Sequence, residues 1–447
     1  MITDKRTQIV LFSLTCWLTT LLSATQSSPT LTTGKSPAKQ PSGSKSAMEN
    51  ECHTKTLSNQ TGHCVCTTLM DIRCENLNSI PEFMLTAGAL FDGIYMSRQS
   101  ITYVPQAAFI TVQVRKILLD FNPLVDNLSP DALSGLEGVL EELYLGDCTI
   151  RTLSQRLLTA MKQLTHLHLW SNRIHTIPQG FFNDCQNLRE LILWGNRIEK
   201  IDENTFAGLT RLRKLDLDKN RISVLPKDIF KHMSNLQVIH IGENIIKAIP
   251  GDTFKFAGNL KALSLDGNGL EFVYGRAFDG LGNLVSLTLD HNVLSFLPGD
   301  AFSNLHNLTV LLIQNNQLST VWTKTFSGLR SLDRVNLSAN KLSAIPEGSF
   351  SKSPRLRHFH VDNNDLQTLP RCIFSRKNEI RTVSLIGNQV ECDCRLTWLI
   401  ELSEWRRARV WGTCSQSRLV SLPTSIINRF QYRLASCAFI PVVCRQI

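Results

Sequence analysis

The sequence predicts an α/β solenoid: a curved horseshoe with a parallel sheet along its concave wall and irregular or short-helical segments on its convex side. Three observations predict it. The stretch Leu188-Arg-Glu-Leu-Ile-Leu-Trp-Gly-Asn196-Arg-Ile198 recurs on shifting by 24 residues, so that asparagines stand at this interval from Asn172 to Asn388. A second ladder of the same period, Phe182 to Phe374, runs in register with the first, without an insertion or deletion. Within the stretch, Leu191 and Leu193 alternate with Ile192 and Trp194, the period-two pattern of a strand with one buried face.

The pattern L-x-x-L-x-L-x-x-N-x-I at a period within about 20–29 residues is the leucine-rich-repeat signature. Each unit supplies one short strand, and parallel neighbours require a crossover. The segments that run from Pro178 or Pro226 through the Phe ladder provide it. Narrow strand spacing on one side and bulkier crossovers on the other bend the stack. The asparagines are expected to satisfy buried backbone groups at the turn after each strand, since a buried polar side chain must be hydrogen-bonded. Units centred on Gln99, Asn122 and Cys148 precede the regular block, 23 and 26 residues apart, and bring the total to thirteen. Each coil needs its neighbours, so the repeats should form one long cooperative domain.

Around this block the chain divides into four further segments. Residues 1–24 read as a secretory signal: Lys5 and Arg6, an apolar run of 14 residues from Ile9 to Leu22, and the small residues of Leu22-Ser-Ala24. A spanning helix needs about 20 mostly apolar residues, and no later segment supplies them, so no membrane span is expected. The Ser-, Thr-, Pro- and Lys-rich residues 25–50 read as a disordered leader with little to bury. Residues 51–82 form an N-terminal cysteine-rich cap, 83–390 the repeats, and 391–447 a C-terminal cap. The expected location is the extracellular space or matrix.

In an oxidising compartment the cap cysteines point to disulfides rather than zinc. Cys52, Cys64, Cys66 and Cys74 allow three pairings by spacing alone. Cys392, Cys394, Cys414 and Cys437 close the other end, and the extra Cys444 suggests a bridge to Cys372. Cys148 stands at an asparagine position of the repeat and Cys185 at a leucine position. Both read as buried, unreactive thiols.

The run Cys392-Asp-Cys394-Arg-Leu-Thr-Trp398-Leu399 resembles the C-terminal flank of extracellular leucine-rich-repeat proteins, and Cys52 to Cys74 resembles their N-terminal flank. That family includes Slit proteins, Nogo receptors, the acid-labile subunit and the carboxypeptidase N regulatory subunit. The resemblance implies disulfides Cys52–Cys66, Cys64–Cys74, Cys392–Cys414 and Cys394–Cys437. It also implies a non-catalytic, protein-binding role and leaves the partner open.

Side chains at the third, fifth and seventh pattern positions point out of the concave sheet. With strands about 4.8 Å apart they form columns across the repeats. The fifth and seventh columns bring Tyr144, His168, Trp170, Ile192 and Trp194 together, with Asp216 and Asp218 at their edge. Tryptophan and tyrosine dominate binding hot spots, so these seven residues are the candidate partner site. Arg173, Arg197 and Arg221 follow the asparagine in three successive coils and read as a solvated edge. His358, His360 and Asp362 share one strand face; they read as ordinary polar exposure, and no metal or cofactor is expected. The sequons at Asn59, Asn127, Asn307 and Asn336 are candidate glycosylation sites, and a glycan on Asn336 would obstruct the far end of the concave face.

The net charge is +9, and residues 391–447 hold eight arginines against four acids. Around Trp405-Arg-Arg-Ala-Arg-Val-Trp411 this basic run could hold heparan sulfate through the cap, while export argues against nucleic acid. The alternative is a cap helix whose tryptophans pack on the last coil. There is no nucleophile elbow, phosphate-cradling loop, metalloprotease helix or paired-carboxylate motif, so an enzyme is not expected. Two classes remain: a secreted scaffold that recognises a protein ligand in adhesion, matrix or innate-immune settings, and a soluble carrier or regulatory subunit that stabilises an extracellular partner.

Overall fold

The computed structural model describes residues 52–55, 62–67, 70–85, 90–124, 128–375, 377–391 and 394–414. The segments read as signal and leader, together with Asn59, Asn127, Cys392, Cys437 and Cys444, lie outside the described residues.

The main sheet has 16 strands whose order follows the chain. It opens with the one antiparallel pair, His63–Cys66 on Asp71–Glu75, and every later strand lies parallel to its predecessor. Within the regular block each repeat contributes three residues, such as His166–His168, Glu190–Ile192 and Lys214–Asp216. Leu167, Leu191 and Leu215 stand opposite one another in register. Slipping the pairing by one residue would turn every leucine to solvent, so burial of Leu191 and Leu193 fixes the register.

On the other side of the core the Phe ladder is buried from Phe182 to Phe350, and its rings stack from Phe230 to Phe350. From Phe230 to Phe326 successive ring centroids are 5.3, 6.3, 5.9 and 6.3 Å apart. Strands in the sheet lie about 4.8 Å apart, so each coil occupies more length on the Phe side, and the sheet becomes the concave wall. The crossovers between repeat strands are consecutive turns closed by bonds from residue i+3 to residue i, such as Thr205 N–H to the Asp202 carbonyl and Leu209 N–H to that of Phe206. Among the described residues the convex side is mostly irregular turns, with one short helical turn, Arg371–Ile373, in the last crossover.

Each ladder asparagine ties two coils together. Asn196 Nδ2 donates to the Leu193 carbonyl of its own coil and to the Leu169 carbonyl of the preceding one, both at 2.9 Å. Its Oδ1 accepts from Ile174 N–H at 3.1 Å. A leucine carbonyl of this kind accepts from two successive asparagines, as Leu193 does from Asn196 and Asn220, so the bonds run unbroken from coil to coil. Cys148 reproduces half of this. Its thiol lies 3.2 Å from the Leu119 carbonyl of the preceding coil, but the thiol offers no good acceptor, and Leu124 N–H turns instead to the Asn122 carbonyl. Cys148 and Cys185 are free, buried thiols, and burial pushes both up to about 12.

The ends are closed by different devices. Cys64 and Cys74 form a disulfide across the first hairpin, and Cys66 and Cys372 are also disulfide-bonded. At the C-terminal end the helix Thr397–Arg406 lays Trp398 against Phe374, with ring centroids 6.0 Å apart. Trp398 Nε1 donates to the Leu369 carbonyl at 3.2 Å. The helix stops at Arg407 in a left-handed conformation. The strand Arg409–Cys414 then adds to Thr382–Val390 as the last strand of the sheet. An apolar coil end that would face water is covered, as a solenoid requires. No helix among the described residues is long and apolar enough to cross a membrane.

Candidate protein-binding face

The seven residues singled out in the sequence lie on four adjacent coils of the concave wall. Tyr144, His168, Ile192 and Asp216 are aligned across successive strands. The rings of Tyr144 and His168 meet edge to face at 4.5 Å. One column over, Trp170 and Trp194 stack with ring planes 8° apart and centroids at 5.5 Å. Trp170 also meets the edge of Phe121 at 5.2 Å, and Arg98 sits over the Phe121 ring at 4.2 Å from its centroid.

Gly146 makes that arrangement possible. A Cβ at this position would lie 2.1 Å from Trp170 Cε2, so the indole lies flat against the bare backbone of the preceding coil and reaches Phe121. Both tryptophans are therefore half-buried by packing along the wall. Ile192 is only 5% exposed: it belongs to the floor of the patch and not to its contact surface.

The third column, which the pattern-based choice of seven residues leaves out, surrounds the aromatics with alternating charge. Lys116 Nζ lies 2.9 Å from Glu142 Oε2, which also accepts from the Tyr144 hydroxyl at 2.8 Å. Burial and that carboxylate push the Tyr144 hydroxyl well above its ordinary range. Glu190 Oε1 lies 3.4 Å from His168 Nε2 and 3.1 Å from Lys214 Nζ. The contact with His168, reinforced by Lys214, draws the Glu190 carboxyl down to about 2. Strand alternation alone would have assigned these residues to the same face.

At the edge of the patch Asp216 and Asp218 crowd each other. Asp218 N–H donates to Asp216 Oδ1 at 3.2 Å, and Gly242 N–H donates to Asp218 Oδ1. Burial raises both carboxyls, and the neighbouring charge of Asp216 contributes to pushing Asp218 up to about 8. His240, directly beside Asp216 on the next strand, places Nδ1 3.7 Å from Asp218 Oδ2 and 4.0 Å from Asp216 Oδ2. His240 stands in the fifth column, but only the geometry shows that it closes a triangle with both acids.

The other candidates are differently placed. His358 Nδ1 pairs with Thr382 Oγ1 at 2.9 Å, and Asp362 Oδ1 accepts from Ser384 Oγ and Ile386 N–H, so this histidine–aspartate strand has no common focus. Arg173 and Arg197 are exposed, and Arg221 lies 3.7 Å from Glu199. The Asn336 amide accepts from Ser338 N–H within the seventh-column turn, and Asn307 donates to the Gly282 carbonyl at its crossover. Pattern reading misses a row of exposed apolar residues, Val224, Phe272 and Phe296, of which the last two rings meet at 6.3 Å. Its signal is the fourth position after each asparagine, which is Val224, Ala248, Phe272 and Phe296 in successive coils.

Comparison with known proteins bears on the fold. A family model described as leucine rich repeat matches residues 162–222, 210–270, 258–318 and 306–366. No curated protein sequence matches the chain. Among solved structures, an octameric complex of Latrophilin 3, Unc5D and the leucine-rich repeats of FLRT2 aligns at 22% identity and a TM-score of 0.57, covering 79% of this chain and 93% of that one. A leucine-rich-repeat protein of Leptospira interrogans aligns at 22% identity and 0.56, covering 72% and 83%. An internalin of Listeria monocytogenes aligns at 21% and 0.51, covering 64% and 78%. The repeat ladders, the sheet they build and these matches together show a leucine-rich-repeat fold, with the family model matching residues 162–366.

Proposed function

We propose that the chain is a secreted, non-catalytic recognition module that binds an extracellular protein on its concave face. The observation that carries this reading is the stacked Trp170–Trp194 pair within a frame of alternating charge. Large aromatic groups with restricted rotamers contribute most of the energy of protein interfaces, and a polar surround excludes water from them. Trp170 and Trp194 lose little further freedom on binding because Gly146, Phe121 and each other already hold them. Ion pairs from Lys116 to Lys214 set which partner charges are accepted and influence the rate of encounter. The fold-level likeness to repeats that sit in a multiprotein complex is consistent with this assignment.

The test is capture of the secreted protein's partner with crosslinking and mass spectrometry, followed by binding measurements on Trp170→Ala and Trp194→Ala. Each substitution should weaken binding at least tenfold while leaving a cooperative unfolding transition. Unchanged binding by both folded variants rules the patch out. The carrier alternative differs in lifetime: a carrier co-elutes with its partner from native fluid on size exclusion, whereas a transient receptor elutes alone. Heparan sulfate binding at the C-terminal cap is a separate proposal, tested by heparin retention of an Arg406, Arg407 and Arg409 triple variant.

A further inference from the structure

We infer that Asp216, Asp218 and His240 form a binding site for a divalent transition ion of the zinc class, with a coordination position open to the concave side. The inference stands apart from the protein-binding reading, because it concerns only what these three side chains can hold.

The three donor atoms converge. His240 Nδ1 is 3.7 Å from Asp218 Oδ2 and 4.0 Å from Asp216 Oδ2, and one ligand atom from each residue falls within 4.8 Å of the others. Zinc takes histidine nitrogen and carboxylate oxygen at about 2.0–2.2 Å, which places neighbouring ligands in a tetrahedral site roughly 3.3–3.6 Å apart. Small side-chain rotations close the observed gaps.

What distinguishes this from an ordinary acidic patch is the nitrogen ligand and the way the carboxylates are held. Asp216 ends the strand Lys214–Asp216, Asp218 follows two residues on with its side chain on the same side, and His240 is the register partner of Asp216 on the next strand. Each acid spends one oxygen on a backbone N–H, that of Asp218 for Asp216 Oδ1 and that of Gly242 for Asp218 Oδ1. The remaining oxygen of each then turns toward the imidazole. Outer partners of this kind orient ligands in metal sites. Among the described residues neither acid has a lysine or arginine within salt-bridge distance: Lys214 is bonded to Glu190 and Lys219 to Glu243. Position 242 is a glycine, and a Cβ there would meet Asp266 Oδ1 at 2.6 Å. Asp266 therefore leans over bare backbone toward the same spot and adds negative potential without a ligand contact. Nitrogen plus carboxylate oxygen favours zinc or its transition-metal neighbours over magnesium, which prefers six oxygens. Three protein ligands leave a fourth position for water or for a donor brought by a binding partner.

The experiment uses the full secreted chain, stripped with chelator and dialysed against Zn2+, with bound metal counted by mass spectrometry and affinity measured by calorimetry. Co2+ substitution adds an absorption spectrum that reports coordination by nitrogen and oxygen. The expected result is a site of one ion per chain that His240→Gln and Asp218→Asn each weaken by at least tenfold, while Asp290→Asn leaves it intact. Wild-type chain should also melt at higher temperature with Zn2+ than without it, and His240→Gln should lose that difference. Should either variant fail to fold, Asp216→Asn takes its place. No saturable binding at tens of micromolar Zn2+, or binding that the variants leave unchanged, overturns the assignment.

Discussion

Trp170 and Trp194 lie face to face with ring planes 8° apart, although 24 residues of chain separate them. The stack exists because each coil returns the seventh pattern position to the same place on the sheet, one strand further along. It leans in one direction because Gly146 leaves the preceding position bare. A patch built this way depends on a residue with no side chain, and substitution there provides a first prediction. Gly146→Ala forces the Trp170 ring off the backbone and away from Phe121. The excitonic Trp170–Trp194 signal in circular dichroism should change, with overpacking that costs about 1–3 kcal/mol. An unaltered signal would mean that the stack does not depend on Gly146.

The asparagine ladder carries a measurable share of stability. Asn220 donates to Leu193 and Leu217 carbonyls, both at 3.0 Å, and accepts from Ile198 N–H at 3.0 Å. Asn220→Ala leaves the buried Ile198 N–H without a partner, at about 1–3 kcal/mol where water cannot reach it, while the Leu193 and Leu217 carbonyls keep their bonds from Asn196 and Asn244. Cys148→Ala should cost less, below about 1 kcal/mol in hydrogen bonding, because Leu124 N–H is satisfied elsewhere and the Leu119 carbonyl keeps its bond from Asn122. Denaturant melts of the two variants compare them directly, and equal losses would contradict the assigned roles.

Truncating the convex ladder should be the most damaging single change. Phe254 is fully buried between Phe230 and Phe278. Phe254→Ala should cost about 3–5 kcal/mol, and the loss should appear as one cooperative transition at lower denaturant rather than as a separate early step.

Asp290 predicts a pH dependence. Burial, with the charge of Asp266 behind it, pushes its carboxyl up from 3.8 to about 6. The folded state therefore holds its proton more tightly than the unfolded chain, and stability falls as pH rises from about 4 to about 6. Asp290→Asn removes this contribution. Relative to the natural chain, the variant should gain roughly 2–3 kcal/mol between these limits and keep the gain at neutral pH. Melting both proteins at pH 4, 5, 6 and 7 checks it; a constant difference across the series would rule the linkage out.

The fold is legible in the sequence because two rigid periods coincide. Strand alternation assigns each residue a face, and the 24-residue coil assigns it a column, so the alignment of Tyr144, His168 and Ile192 follows from spacing alone. What those periods do not encode is depth and direction. Ile192 occupies an outward position yet is buried. Trp170 leans toward Phe121 because of a glycine in the preceding coil, which in the seventh column is no more than a missing side chain. The triangle of Asp216, Asp218 and His240 runs diagonally between columns, and reading down a column passes it by. Cys148 is legible as a substitute for asparagine, while the rerouting of Leu124 N–H to its own turn depends on the 26-residue coil around it.

The central claim is that partner recognition takes place on the concave wall around Trp170 and Trp194. The most direct measurement is the affinity of the captured partner for Trp170→Ala, with Phe256→Ala on an exposed crossover position as the control. Loss of a hot-spot tryptophan should cost about 2 kcal/mol or more, a drop of more than tenfold, and the control should bind as the natural chain does. Full affinity in a folded Trp170→Ala variant, or an equal loss in both, would contradict it.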